Sequence, residues 1–239
     1  MDGMNEDRGW QPNHRASETT DAPLQAWMTS KPMHALQRLS SSRLNGRLGL
    51  LFDGAIALAL LDAGLRGRHA PLSGLLVFAI GLLLFSFVEY AFHRWLFHGP
   101  IAVFEQGHTR HHEHPLGDDS LPFFLPPLGM LALAGLLALI LSPSDALLLA
   151  AAFASGYTLY GLCHTVIHLR RFRSAGARRW AGAHHVHHHH PQTNFGVTTP
   201  LWDIVFGTRR AAHSAQRSAT KQQAASTTAA STSSARSGD

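Results

Sequence analysis

Eighteen of the 239 residues are histidine, and most of them fall in four short clusters. The densest runs from Ala183 to Pro191 and holds His184, His185, His187, His188, His189 and His190. Ahead of it come His93 and His98, then His108, His111 and His112, then His164 and His168. Imidazole is a good ligand for zinc, copper, iron and nickel, so the chemistry these residues suggest is metal binding. Cys163 is the single cysteine, which excludes an intrachain disulfide and thiolate metal sites.

Spacing decides which neighbours can share an ion. At about 100° per helical residue, His164 and His168 lie roughly 40° apart and face the same way. His108, His111 and His112 stand at i, i+3 and i+4, again one helical face, and His184, His187 and His188 repeat that spacing. His93 and His98 are five apart, about 140° round a regular helix. Either they serve different metals, or the helix unwinds before His98, and Gly99-Pro100 makes unwinding plausible. The candidate ligands are then ten histidines: His93, His98, His108, His111, His112, His164, His168, His184, His187 and His188. One metal cannot use ten. Two at five each would be crowded for zinc, which usually takes four ligands. Two irons with room left for oxygen fit better, with zinc able to substitute in a purified protein.

The elements that must hold these clusters are apolar. Runs at Leu48–Leu65, Leu72–Phe92, Leu121–Leu141 and Asp145–Leu169 read as four membrane helices. The prolines Pro122, Pro126 and Pro127 predict irregular first turns in the third. Small residues at Ala150–Gly156 suit close helix approach in the fourth. The mean hydropathy of −0.02 is low for a membrane protein only because polar ends dilute an apolar middle. A formal charge of +5 is compatible with nucleic acid or an anionic membrane surface, and the apolar runs favour the membrane over nucleic acid.

The ends read differently. Residues 1–42 are polar, without sustained apolar periodicity, and are expected to be mostly disordered with a short interfacial helix near Ala35–Leu39. The acidic start is not that of a secretory signal peptide. Residues 211–239 are an Ala, Ser, Thr and Gln tail, expected to be disordered. The reading is an all-α, integral membrane four-helix domain at 43–210 with a histidine-rich cap. With four spans, all clusters reach one membrane face. Arg38, Arg43, Arg47 and the arginines after Leu169 share that face, and only Arg66 and Arg68 lie opposite. The positive-inside rule then places the histidine cap and both termini in the cytoplasm.

The order of motifs, HxxxxH, HxxHH, HxxxH and HxxHH, resembles the fatty acid hydroxylase and sterol desaturase superfamily. The run Glu89-Tyr90-Ala91-Phe92-His93-Arg94-Trp95-Leu96-Phe97-His98-Gly99-Pro100 is similar to its first motif. Pro191, with the segment from Asn194 to Asp203 and Phe206-Gly207-Thr208, is similar to the stretch after its last histidine box. The resemblance covers about Leu48 to Thr208. It implies a membrane di-iron enzyme that uses O2 and external electrons to hydroxylate an unactivated C–H bond of a lipid, a fatty acyl chain first of all. The family's metal ligands map onto the ten histidines. The last box is over-filled, so His185, His188 and His189 form an alternative register. His184, His187 and His188 keep the usual distance to Pro191 and Asn194. No fused haem domain is evident, so a separate protein is expected to supply electrons.

Other readings stand beside this one. Within the superfamily they are a lipid or sterol desaturase and a carotenoid ring hydroxylase. Outside it, a non-catalytic membrane metal-binding or transport protein would place histidines along a path through the bilayer rather than on one face. Glu89 reads either as a partner for a ligand histidine or as a helix-end charge reaching for water. His114, His185, His189 and His190 read as supporting or solvent-facing, and His14, His34, His69 and His213 as incidental. Trp202 and Phe206 read as packing residues or interfacial anchors and Cys163 as a packing residue, while Arg170, Arg171 and Arg173 read most simply as a topology signal, with contact to anionic headgroups as the alternative.

Overall fold

A computed structural model describes residues 31–66, 71–117 and 120–211. The tails expected to be disordered lie largely outside those residues, as do His14, His69 and His213. Within the first 42 residues, the helix expected near Ala35–Leu39 extends over Lys31–Ser40 (α1). The chain divides into a compact unit up to Leu39 and a second from Ser40 onward, and all four histidine clusters belong to the second.

Among the described residues the protein is all-helical. Three helices are long and apolar enough to cross a membrane: α2 (Arg43–Arg66), α3 (Pro71–Ala91, continued to Phe97) and α6 (Pro143–Leu169). Each runs a few residues beyond the apolar stretch that announced it. Helix α5 (Leu125–Leu137) has 13 residues, which at 1.5 Å per residue covers about 20 Å, short of a hydrocarbon core of about 30 Å. This departs from the span expected over Leu121–Leu141. Leu121–Phe124 stay outside the helix, and Pro126 sits in its first turn, where a missing N–H costs nothing. Among the described residues, three further short helices follow: α4 (Ala102–Glu113), α7 (Ala175–His189) and α8 (Leu201–Val205).

Helix α6 is the centre of the bundle, packing against α2, α3 and α5. Its alanines make this possible. Ala150, Ala151 and Ala154 meet Ala57 and Leu60 of α2 and Ala134 of α5 in one buried cluster. Where α3 crosses, a Cβ on Gly81 would stand 2.5 Å from that of Ala152, and one on Gly156 would stand 2.3 Å from the Phe85 ring. Between helices in lipid there is no hydrophobic drive, so close contact of small residues supplies the attraction. The outer surface is lined with exposed Leu58, Leu72, Leu75, Leu136 and Ile140, which suits acyl chains rather than water. The chain is an integral membrane protein.

Asn45 fixes the start of α5 beside the start of α2. It is fully buried, its amide nitrogen donates to Ser120 Oγ and to the Leu121 carbonyl at 2.8 Å each, and its Oδ1 accepts the Phe123 N–H at 2.9 Å.

Candidate metal centre

The first histidine pair is set by an unusual turn. From Phe92 to Phe97, α3 widens into a π-helix, whose bonds run from i to i+5. Residues five apart then come together, and His93 and His98 fall in the same cluster. A π-helix is an underwound helix, so of the two readings of the spacing the local unwinding before His98 is the one seen, and the pair shares one group.

All ten candidate histidines meet, and they sort into two groups of five. The first holds His93, His98, His108, His112 and His187. The second holds His111, His164, His168, His184 and His188. In each group the ligand atoms lie within 4.8 Å of one another. The α4 and α7 triads are both divided between the groups. The register with His184, His187 and His188 is the one that converges. His185 and His189 are exposed, with the His185 ring against that of His168, and His114 is exposed as well.

The spacing inside the groups tests whether a metal fits. His108 Nε2 stands 3.0–3.1 Å from the Nε2 atoms of His93, His98 and His112. His98 and His187 meet at 3.1 Å, and His184 meets His168 and His188 at the same distance. One N–H cannot serve three facing nitrogens, so these lone pairs converge on a common point. Donors about 2.1 Å from one ion and at right angles stand about 3.0 Å apart, whereas tetrahedral donors stand about 3.4 Å apart. Each group could therefore hold a metal ion.

Imidazoles outside the spanning helices are pushed toward the neutral form, the form that binds metal. Burial, then neighbouring rings, lowers His98 to about 4 and His188 to about 2. Burial lowers His187 to about 3 against the opposing bond to Thr193. His108 and His184 also lie well below the usual value, for the same two reasons.

A second set of contacts orients the rings. His93 Nδ1 donates to the Phe195 carbonyl at 2.5 Å, and His187 Nδ1 donates to the Thr193 carbonyl at 2.8 Å. Both bonds leave Nε2 aimed into the first group. The segment that carries these carbonyls is itself clamped. Asp203 is 1% exposed and accepts the N–H groups of Phe195 and Gly196 at 2.8 Å each, together with the Thr208 hydroxyl. Glu89 accepts the N–H groups of Val197 and Thr198 at 2.7 and 2.9 Å, together with the Thr198 hydroxyl. Asn194 has φ 56°, a left-handed conformation asparagine tolerates, and its side chain bonds Ala183 and Arg210. A Cβ on Gly196 would meet the Thr199 carbonyl oxygen at 2.1 Å, so only glycine fits there.

Glu89 thus holds backbone, neither bonding a histidine nor reaching for water as expected. Asp203 and Asn194 entered the sequence reading only as part of the stretch after the last histidine box, with no structural role assigned. For Asp203 the signal was a polar residue inside the apolar run Leu201–Phe206, too general to assign a role. Trp202 and Phe206 pack as expected. The indole N–H of Trp202 reaches Ser86 Oγ at 3.0 Å, and Phe206 stacks on Tyr90. Cys163 packs against the Ile167, Ala181 and Val197 cluster. Arg170, Arg171 and Arg173 are exposed.

Fold and site together define a class: an integral membrane helical protein whose clustered histidines could bind metal at one end of its bundle. The profile of the family "Fatty acid hydroxylase" matches residues 78–208, a stretch that contains all ten histidines, and the chain belongs to the fatty acid hydroxylase family. It is 31% identical over 154 residues to dihydroceramide fatty acyl 2-hydroxylase FAH2 of Arabidopsis thaliana, covering 60% of this chain and 64% of that protein. It is 32% identical over 146 residues to fatty acid 2-hydroxylase of Rattus norvegicus, covering 55% of this chain and 39% of the relative. The chain therefore spans less than two thirds of the length of either. A solved structure of full-length scs7p, with only its hydroxylase domain visible, aligns with a TM-score of 0.63 at 25% identity, over 74% of this chain and 70% of that one.

Proposed function

We propose that the chain is a lipid hydroxylase that converts a C–H bond of a fatty acyl chain to an alcohol, consuming O2, two electrons and two protons and releasing water. The observation that carries this reading is the sorting of ten histidines into two five-membered groups inside the stretch that matches the family. The names of the relatives point to carbon 2 of a fatty acid or of a ceramide acyl chain, and to hydroxylation rather than desaturation. Two iron ions held by His93, His98, His108, His112 and His187 and by His111, His164, His168, His184 and His188 would supply the O2 reduction and the oxidising power. The protein's own part is to keep the imidazoles neutral, aim their Nε2 atoms inward, and set the site where membrane helices end. A separate electron donor protein completes the reaction.

The domain proper is proposed at 43–210. α3 and α6 both end in the cluster, so the chain must cross back between Glu113 and Pro143. We assign that crossing to Leu121–Leu141, with α5 as its helical part. The arginine asymmetry supports a cytoplasmic histidine face. Lipid mass spectrometry of cells with the chain, and with its His187→Ala variant, tests the reaction. One added oxygen in one acyl-lipid class, absent from the variant, is expected. Loss of two hydrogens instead would make it a desaturase, and no change in any lipid would end the reading.

A further inference from the structure

The two histidine groups are not held alike. In the first, two Nδ1–H groups end on the carbonyls of Thr193 and Phe195, in one short segment. In the second, the Nδ1 of His184 is buried and has no hydrogen-bond partner, although His184 is as enclosed as His93, at 2% exposure. The anchoring segment is gripped from both sides, by Asp203 at Phe195 and Gly196 and by Glu89 at Val197 and Thr198. Glu89 lies four residues before His93 on the same helix. One turn of α3 therefore holds the loop, and the loop's carbonyl holds the next turn's histidine. A histidine whose far nitrogen donates to a fixed acceptor is a more basic and better oriented ligand.

We infer that the two metal positions are unequal: the one around His93, His98, His108, His112 and His187 binds first and releases last, and Glu89 and Asp203 are its positioning residues. The inference rests on the dinuclear reading above. Neither carboxylate touches a metal. Asp203 acts through the backbone of Phe195 and Gly196, and Glu89 through that of Val197 and Thr198, on the segment whose carbonyl orients His93. The side chains also differ in what a conservative change leaves. Glutamine at position 89 keeps one oxygen for the two N–H groups, and its amide can donate to the Thr198 hydroxyl. Asparagine at position 203 turns an N–H toward an N–H, because both carboxylate oxygens already accept backbone donors.

The test is release of cobalt(II) from the full-length chain in detergent, loaded to two ions and challenged with an excess of chelator. The expected result is two phases of one ion each, the slow one absent from His187→Ala and the fast one absent from His111→Ala. Asp203→Asn and Glu89→Ala should speed the slow phase about 10- to 100-fold and leave the fast phase alone, while Glu89→Gln keeps the slow phase near that of the unaltered chain. A single phase releasing both ions from the unaltered chain overturns the inference whether or not the variants fold. So does equal acceleration of both phases by Asp203→Asn. A loading limit below two ions per chain defeats the dinuclear reading itself, a result distinct from either.

Discussion

Helices α4 and α7 carry the same HxxHH spacing and use it in opposite senses. On α4, His108 and His112 turn to the first group and His111 to the second. On α7, His184 and His188 turn to the second group and His187 to the first. Each helix gives two rings to one position and one to the other, so neither position closes without both helices. Bound ions would pin α4 and α7 together. The spacing alone says only that three rings share a face.

The largest expected effect comes from the two crossing histidines. His187→Ala and His111→Ala should each bring hydroxylation down to background, and metal analysis should show each variant short of one ion. Full activity in either breaks the ligand assignment. Acid comes next. His98, His187 and His188 have folded values of about 4, 3 and 2, below the usual 6.5. Between those values and 6.5, the unfolded chain takes up protons that the folded chain does not. Stability of the metal-free protein therefore drains away as pH falls below 6.5, from His98 until about 4 and from His187 and His188 on toward about 2. Chemical unfolding at a series of pH values checks this, and a flat profile across that window contradicts it.

A smaller effect tests the frame rather than the site. Gly156→Ala pushes a methyl into the Phe85 ring and should cost about 1–3 kcal/mol, seen as a lower melting temperature with metal per folded chain unchanged. The smallest is His189→Ala, an exposed ring, which should leave metal content and activity as they were. Loss of an ion there would revive the His185, His188 and His189 register.

Much of this was legible in the sequence because it depends on local period. Apolar length marked α2, α3 and α6, and helical spacing marked the ten rings. Three things were not legible, each for its own reason. The split of His108, His111 and His112 depends on what α4 faces, which no spacing within α4 records. The short α5 reads like a full span because the Leu121–Leu141 composition is uniformly apolar, while its prolines and the turn at Ala138–Leu141 cut the helix. Glu89 and Asp203 accept backbone N–H groups, and such donors exist on every residue except proline, so nothing in a partner's sequence points back at the carboxylate.

The widened turn at Phe92–Phe97 has a consequence for anyone transplanting this site. Its HxxxxH pair behaves geometrically as an HxxxH pair with one residue inserted, the surplus absorbed by the backbone. Copied unchanged onto a designed regular helix, the two imidazoles would diverge. A graft must carry the bulge with it, or delete one of the four residues between His93 and His98.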